Sequence, residues 1–359
     1  MKALILFFLS LQLLSFNALS DSKFQRNEVT EISEVEDLAP VNNDTLPISY
    51  HWTKDTYSAN KLRNNSLTTK AAPASPMMTY HNGSVSNVMK SVITTPIFWG
   101  KSWGNGKNAY TSDKIIGLNY FYSNIGINGS TYIGTVKEYS VLSSHNANTS
   151  ITDTSTASNN TTNILNKVCK LVGTTNVSQT GFYPVYTDIK RGNNNYCAFH
   201  SAGLCGTTTI QFAFFFDLND DAGCDPVSSY APARGSSISQ SPGSAGNVLS
   251  LYQQSQGLAA LANVSAHELM ETVTDPAYFP PSGAAAYWSG WYDSLGFENG
   301  DKCAWTFGPS NKGLAGTVNI GGFNWKLQGE WSNLAQSNSS GYPTTSSTYG
   351  NLKGCVTGS

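Results

Sequence analysis

The sequence is organised around VSAHELMETVTDP, which spans Val264–Pro276. It closes a longer run, Asn247–Thr274, which holds few helix breakers and in which apolar residues recur at roughly helical spacing. Asp275 predicts the end of this helix, because the residue before a proline is driven out of the helical region. Gly257 is the weak point of the run, and it leaves open whether one helix or two span it.

Three residues of this helix have the spacing of a metal site. His267 and Glu271 lie four residues apart, so their side chains project from the same helix face. With Glu268 beside them they resemble the H-E-x-x-H zinc helix, with glutamate in place of the second histidine. A carboxylate can replace an imidazole as a Zn²⁺ ligand, although it shifts the site towards harder cations such as Ca²⁺. A solvated helix face would explain the same three residues equally well.

A zinc helix with two ligands needs a third ligand from elsewhere in the chain. Glu298 and Asp301 follow Glu271 by 27 and 30 residues, on a glycine-containing turn just ahead of Cys303. Either carboxylate could complete the site, and an ordinary acidic turn is the alternative interpretation.

Two further features could bear on metal binding. The acidic cluster Asp217, Asp220 and Asp221 lacks the glycine and terminal glutamate of an EF-hand loop, so we interpret it as a solvated loop, with Ca²⁺ as a minor alternative. His200, in YCAFHSAG, lies between Cys197 and Cys205. It is interpreted as a hydrogen-bonded structural histidine, with an extra metal ligand as the alternative. His81 is interpreted in the same way.

Composition and the N-terminus place the chain outside the cell. Only 12% of the 359 residues are charged and the net charge is −2, which argues against nucleic acid as a partner. Residues 1–20 have the pattern of a signal peptide, with a short apolar run and a small-residue cleavage site. No later stretch reaches the eighteen or so apolar residues of a membrane span. The sequence therefore predicts a secreted, extracellular protein.

Six cysteines fit an oxidising compartment, because an even number in an exported chain indicates disulfides. Three bridges can be drawn in fifteen ways. We favour Cys303–Cys355, which would tie the acidic turn to the C-terminal region, and Cys169–Cys197 with Cys205–Cys224 for the remaining four.

The predicted fold class is α+β, a mixed β-sheet with packed helices and the metal helix on it. Residues 21–76 are polar and lack apolar periodicity, so they are interpreted as a flexible leader or propeptide, with one domain at 77–359. Thr207–Phe216 is nearly all apolar and is predicted to be a central buried strand. The other predicted strands are Ser91–Trp99, Thr131–Val141, Gly181–Ile189, Thr317–Ile320 and Phe323–Leu327. The other predicted helices are Ile164–Leu171 and Thr111–Ile125, the second with Thr111 or Ser112 as its N-cap and with a strand as the alternative.

Several blocks of the chain, in order, resemble the plant EXORDIUM (phosphate-induced protein) family and its bacterial and fungal relatives. They are TYHNGSV (Thr79–Val85), PIFWGK (Pro96–Lys101), YCAFH (Tyr196–His200) with Cys205 and Cys224, AHELMETVTDP (Ala266–Pro276), ENGDKC (Glu298–Cys303), FNWKLQGEWSN (Phe323–Asn333) and Cys355. The departures are the long leader, the additional Cys169, and Asn299 where the family usually has isoleucine. The resemblance covers about residues 77–359 and implies an extracellular protein linked to growth and the cell wall, without implying a reaction.

Two functions are consistent with these residues. One is a non-catalytic secreted protein that uses a structural metal site and binds an extracellular polymer, a peptide or a surface receptor. The other is a zincin-like metallopeptidase, in which His267, Glu271 and Glu298 or Asp301 hold Zn²⁺ and Glu268 is the catalytic general base acting on water. Two carboxylate ligands leave less positive charge on the metal, which argues against fast catalysis.

Overall fold

The strand Thr208–Asp217 lies inside the main sheet of the computed structural model, paired on both sides and buried from Ile210 onward. This confirms the predicted central strand. The structure describes residues 46–57, 77–81, 88–104, 109–126, 132–139, 144–173, 176–226, 255–279, 287–308, 317–343 and 352–358. The predicted signal peptide and most of the predicted leader lie outside these ranges.

The β-strands are distributed along the described residues from Ile48 to Val356. They are β1 (Ile48–Trp52), β2 (Thr79–Tyr80), β3 (Ser91–Thr94), β4 (Ile97–Trp99), β5 (Ser144–Ala147), β6 (Ile151–Asp153), β7 (Gly181–Lys190), β8 (Tyr196–Cys205), β9 (Thr208–Asp217), β10 (Ala277–Tyr278), β11 (Tyr287–Trp288), β12 (Trp291–Tyr292), β13 (Thr317–Ile320), β14 (Phe323–Lys326), β15 (Glu330–Trp331) and β16 (Cys355–Val356). The α-helices are α1 (Ala109–Ile125), α2 (Thr161–Val172), α3 (Gln256–Thr274), α4 (Asn299–Lys302) and α5 (Asn333–Asn338). Short 3₁₀ helices span Lys101–Gly104, Tyr132–Tyr139 and Ala222–Cys224.

Eight of the described strands form one mixed sheet, as predicted. Its order is β1-β8-β9-β7-β3-β5, and β4 and β6 join it beside β7. The pairs β1–β8 and β8–β9 are antiparallel, whereas β9, β7, β3, β5, β4 and β6 pair in parallel. The remaining strands form the two-stranded pairs β10–β11, β12–β2, β13–β14 and β15–β16.

Helices pack on both faces of the sheet. Successive residues of a strand point to opposite faces, so one strand can contact a different helix on each face. On one face the Tyr186 hydroxyl of β7 lies 2.7 Å from the Ser265 hydroxyl of α3, and Tyr122 of α1 lies 2.8 Å from the same tyrosine oxygen. On the other face Gly203 of β8 packs so closely on Leu165 of α2 that a side chain there would overlap it. Helix α3 is therefore held between the sheet and the chain that follows it.

Strand β1 corrects the predicted leader. Residues 46–57 belong to the fold, and β1 pairs with β8 along its whole length, with Ser49 opposite His200 and Tyr50 opposite Phe199. The alternation of Ile48, Tyr50 and Trp52 with more polar residues gives this short segment one apolar side. An average taken over a long polar stretch conceals it.

Three local predictions are also corrected. Thr131–Val141 does not form a strand, because Tyr132–Tyr139 is a 3₁₀ helix whose Tyr132 and Tyr139 hydroxyls bond to the chain at Gln328 and Trp331. Ser91–Trp99 divides into β3 and β4 at Pro96, which cannot donate a backbone hydrogen bond to a sheet. The helix predicted over Thr111–Ile125 is confirmed against its strand alternative, but α1 begins at Ala109, ahead of both proposed N-caps.

One predicted disulfide is confirmed and two are wrong. Cys303 is bonded to Cys355, as expected. The other bridges are Cys169–Cys205 and Cys197–Cys224. Cys197 and Cys205 lie at opposite ends of β8, roughly 27 Å apart at the rise of an extended strand, so each is bonded to a partner near its own end.

The residues described before and after the gap at 227–254 contribute to one hydrophobic core, which includes Phe98, Phe214, Leu269 and Trp325. All of them belong to a single compact unit, Ala39–Ser359. Among the helices in the described part of the chain, none is long and apolar enough to cross a membrane.

Candidate metal centre

Helix α3 is capped and buried along its length. The Ser255 hydroxyl accepts a hydrogen bond from the Leu258 N–H at its start, and the Asp275 N–H donates to the Glu271 carbonyl at its end. The predicted stop at Asp275 is confirmed. The helix begins at Gln256, beside the predicted weak point Gly257, so one unbroken helix from Asn247 is wrong, and residues 247–254 lie outside the described ranges. Every residue from Gly257 to Thr274 is buried, so the interpretation of its polar residues as a solvated face is wrong.

The predicted ligands on the helix meet the acidic turn. His267 Nε2 lies 3.1 Å from Glu271 Oε1 and 3.9 Å from Asp301 Oδ1. One ligand atom from each of these three residues lies within 4.8 Å of the others, a separation compatible with a shared ion. We call these residues the His267 group.

The turn can approach this closely because residue 300 is glycine. A Cβ at Gly300 would lie 2.7 Å from His267 Nδ1 and 2.9 Å from Glu271 Oε1. Its neighbour, the Asp301 N–H, donates to Glu271 Oε1 over 2.9 Å. The turn therefore fixes one oxygen of the shared glutamate.

A second group includes the histidine that we interpreted as structural. His200, on β8, lies with its Nε2 3.5 Å from Glu298 Oε1 and its Nδ1 3.6 Å from Glu271 Oε2. Ligand atoms of His200, Glu271 and Glu298 also lie within 4.8 Å of one another, and we call them the His200 group. Glu298 and Asp301 were predicted as alternatives, and the structure brings both to Glu271, one in each group.

Glu268 contacts the His200 group without belonging to it. Its Oε2 lies 3.0 Å from His200 Nδ1, and its Oε1 has no hydrogen-bond partner. His81 is elsewhere, stacked on Tyr292 with ring centroids 3.7 Å apart.

Sequence reasoning missed the contribution of β1 and of one glutamine. The Ser49 hydroxyl donates to Glu298 Oε2, and the ring of His51 lies 3.9 Å from that of His267. Gln328 lies 2.8 Å from His267 Nδ1 through its amide nitrogen. The alternating pattern ISYHW was the available signal for β1. Nothing in the sequence near Gln328 indicates its partner 61 residues away.

The His267 group, the His200 group and Glu268 together form what we call the central cluster. Its buried carboxylates repel one another when no cation is bound. Burial, followed by repulsion from neighbouring carboxylates, raises the pKa of Glu271 well above its usual range, and burial raises the pKa of Glu268 to about 7. Burial alone would lower the pKa of His200, but the carboxylates of Glu298 and Glu268 outweigh it and raise that pKa to about 10. Burial lowers the pKa of His267 well below its usual range. Burial and mutual repulsion therefore favour the protonated form of Glu271 unless a cation is bound beside it.

The acidic loop predicted at Asp217–Asp221 is different. Asp217 lies 2.9 Å from the ammonium of Lys190, and Asp221 pairs with Arg191 through both oxygens, at 2.6 and 3.0 Å. The prediction of a solvated residue holds for Asp220, which is exposed, but not for Asp217, which is buried. None of the three takes part in either metal-ligand group of the described residues.

The donors of the central cluster fit a divalent cation. Both groups combine one imidazole with two carboxylates, a set that suits Zn²⁺ and, with more oxygen, Ca²⁺. Four of their buried atoms have no hydrogen-bond partner, namely His200 Nε2, His267 Nε2, Glu271 Oε2 and Glu298 Oε1. Comparisons of the chain with protein-family models, with curated proteins and with solved structures gave no match.

Proposed function

We propose that this chain is a secreted, EXORDIUM-like extracellular protein that holds one divalent cation, Zn²⁺ with Ca²⁺ as the alternative. The metal would be structural, and the protein would act by binding an extracellular polymer, a peptide or a receptor at the cell wall or cell surface. The sequence blocks quoted above support the family assignment. The three disulfides agree with an exported protein.

The observation that carries the metal site is the position of Glu271. It is fully buried, it is shared by two histidine–carboxylate groups, and one of its oxygens has no protein partner. Burying a carboxylate without a partner is costly, and a cation in contact with it removes that cost. A metal ion therefore accounts for a cluster that is otherwise unfavourable.

Burial favours a structural role for this metal over a catalytic one. His200, His267, Glu268 and Glu271 have no solvent-exposed area. A peptidase has to admit a peptide chain to its metal, and a site with two carboxylate ligands gives a weaker Lewis acid than one rich in histidine.

Metal analysis of the purified protein tests this proposal. We expect about one Zn²⁺ or Ca²⁺ per chain, and a thermal midpoint that falls on chelation and recovers when the metal is restored. A protein that carries no metal after equilibration with both ions, and whose thermal midpoint does not respond to them, would refute the metal site.

A metallohydrolase is the second candidate, and one observation favours it. Glu268 lies beside the metal ligands with one carboxylate oxygen unpartnered, which is where a zincin-like site needs its general base. In that case Glu268→Gln would abolish chelator-sensitive peptide hydrolysis and leave the metal affinity unchanged. Absence of chelator-sensitive hydrolysis in the wild-type protein, across a mixed peptide library, would reject this candidate.

A further inference from the structure

The two groups that share Glu271 differ in how their other atoms are used. We infer that the ion is bound by the His200 group, through His200, Glu271 and Glu298, and that His267 orients Glu271 rather than binding metal. This inference rests on the metal-binding function proposed above. It makes the histidine of β8 the imidazole ligand and gives the histidine of the HExxE helix a positioning role.

The ligand nitrogen of His200 is selected by Glu268. The Glu268 carboxylate lies 3.0 Å from His200 Nδ1. An ionised carboxylate only accepts hydrogen bonds, so it holds the imidazole proton on Nδ1 and leaves the lone pair of Nε2 free. Nε2 is buried and makes no hydrogen bond. Such carboxylate–histidine pairs commonly orient metal ligands, and here Glu268 is a positioning residue.

Each carboxylate of the group likewise has one oxygen held and one oxygen free. Glu298 Oε2 accepts from the Ser49 hydroxyl, and Glu298 Oε1 faces His200 Nε2 without another partner. Glu271 Oε1 accepts from the Asp301 N–H, and Glu271 Oε2 is free. His200 Nε2, Glu298 Oε1 and Glu271 Oε2 are thus left without hydrogen bonds, and ligand atoms of the three residues lie within 4.8 Å of one another, with Glu271 Oε2 on the Nδ1 side of the His200 ring at 3.6 Å.

The opposite holds for His267, because Gln328 fixes its tautomer. The Gln328 amide nitrogen donates to the Gly300 carbonyl at 3.1 Å, and its amide oxygen accepts from the Trp305 N–H at 3.2 Å. If the Gln328 amide were flipped, its oxygen would face the Gly300 carbonyl oxygen and its NH₂ group would face the Trp305 N–H, and neither pair could form a hydrogen bond. The second amide hydrogen of Gln328 therefore points at His267 Nδ1, 2.8 Å away.

A neutral imidazole that accepts at Nδ1 carries its proton on Nε2. Nε2 of His267 lies 3.1 Å from Glu271 Oε1, the oxygen that the Asp301 N–H already holds. In this tautomer His267 carries a proton and has no lone pair for a metal at Nε2, an atom that makes no hydrogen bond in this structure. The Asp301 N–H holds Glu271 Oε1, His267 Nε2 lies beside the same oxygen, and the other oxygen of Glu271 lies 3.6 Å from the His200 ring.

The charge of the His200 group fits one divalent ion. Glu271 and Glu298 contribute two negative charges and neutral His200 contributes none, so a divalent cation neutralises its three ligands, and the ionised Glu268 beside His200 adds one further negative charge. Neutrality matters because these side chains are almost fully buried, with Glu298 the most exposed at 4%. Without metal, a protonated His200 between Glu268 and Glu298 is the competing arrangement.

A matched pair of variants, His200→Gln and His267→Gln, tests the assignment by titration with Zn²⁺ alone. Glutamine keeps a side-chain N–H near the Nε2 position, so it can replace a donor but is a poor substitute for an imidazole ligand. We expect His267→Gln to bind Zn²⁺ within about tenfold of the wild-type affinity, and His200→Gln to lose about 1,000-fold or more. We also expect Glu268→Gln to weaken binding by about 10–100-fold, as other outer-sphere partners do.

The reverse order of the two histidine variants, or loss of metal in both, would overturn the assignment while leaving the metal-binding function intact. Absence of Zn²⁺ binding in the wild-type protein would instead refute the function itself. If either variant does not fold, histidine-ring ¹H–¹⁵N spectra of the Zn²⁺-loaded wild type decide. We expect proton signals at Nδ1 of His200 and at Nε2 of His267, and a proton at Nδ1 of His267 with Nε2 bound would contradict the inference.

Discussion

The central cluster and the acidic loop both concentrate carboxylates, yet they satisfy them differently. In the loop, Asp217 and Asp221 face the cationic side chains of Lys190 and Arg191. In the cluster, Glu268, Glu271 and Glu298 face histidines and one another, and each has an oxygen without a hydrogen-bond partner.

Both regions are rich in carboxylates, but they differ in which groups contact those carboxylates. Both regions would look alike to a count of acidic residues. Buried carboxylates that already have Lys or Arg partners gain little from a metal, whereas carboxylates without such partners gain most. The following tests ask whether this contrast controls metal binding.

Glu271→Ala should give the largest effect, because both ligand groups contain this residue. When free Zn²⁺ exceeds the dissociation constant by about 10,000-fold, the wild type gains about 5 kcal/mol from binding, and the variant should lose that gain. The metal-free forms should differ much less, because relief of a poorly solvated carboxylate is opposed by loss of the hydrogen bond from the Asp301 N–H and by the cavity left behind. Denaturant unfolding with and without Zn²⁺ measures both quantities. If Zn²⁺ stabilised the variant as much as the wild type, the cluster around Glu271 would not be the metal site and the contrast between the two regions would fail.

Each acidic region ends near a disulfide, which provides a matched pair. Removing Cys303–Cys355 or Cys197–Cys224 should lower the free energy of unfolding by about 4 and about 3.5 kcal/mol, from loops of 52 and 27 residues. Only the first should also weaken Zn²⁺ binding, because it anchors the turn that carries Glu298 and Asp301. Equal Zn²⁺ affinity in the two double-alanine variants would count against that anchoring role.

The stability of the metal-free protein should fall as pH rises. The folded-state pKa of Glu268 is raised from 4.5 to about 7. Its contribution is therefore fully present below about pH 4.5 and is lost as pH rises through about 7, a change on the order of 3 kcal/mol. The raised pKa of His200 acts in the same direction between about 6.5 and 10. Thermal midpoints at pH 4.5, 6 and 8 should diverge between chelated and Zn²⁺-loaded samples. Parallel curves would show that metal and protons do not compete for the cluster.

Asp221→Asn should have the smallest effect. It weakens the two-point contact with Arg191, which is partly exposed, so the expected cost is about 1 kcal/mol. Zn²⁺ content and affinity should equal those of the wild type. A loss of bound metal in this variant would place an ion in the loop and reverse the contrast.

The sequence predicts local elements well and distant partners poorly. The end of α3 at Asp275, the buried strand at Thr207–Phe216 and the meeting of His267 with the Glu298–Asp301 turn follow from spacing and breakers close in the chain. The position of His200 does not, because it depends on which face of β8 receives α3. That choice is made by the pairing and packing of the whole sheet.

Disulfide pairing and the extent of the fold failed for a related reason. The sequence does not show that Cys197 and Cys205 lie at opposite ends of the ten-residue strand β8, so the predicted pair Cys169–Cys197 is wrong. Likewise, the polar composition of 21–76 hid a five-residue strand that pairs only when β8 is present. Hydrogen bonds between distant segments leave little trace in local composition.

Strand β1 also bears on which fragments of this chain will behave well in solution. It covers the edge of β8, a strand of ten residues in which only Leu204 is exposed. A fragment that begins at residue 77 would uncover the backbone donors and acceptors of β8 between Tyr196 and Ser201. Such edges recruit strands from other molecules. Self-association of that fragment, relieved by adding a peptide with the sequence of residues 46–57, would reveal the N-terminal segment as a built-in guard against aggregation.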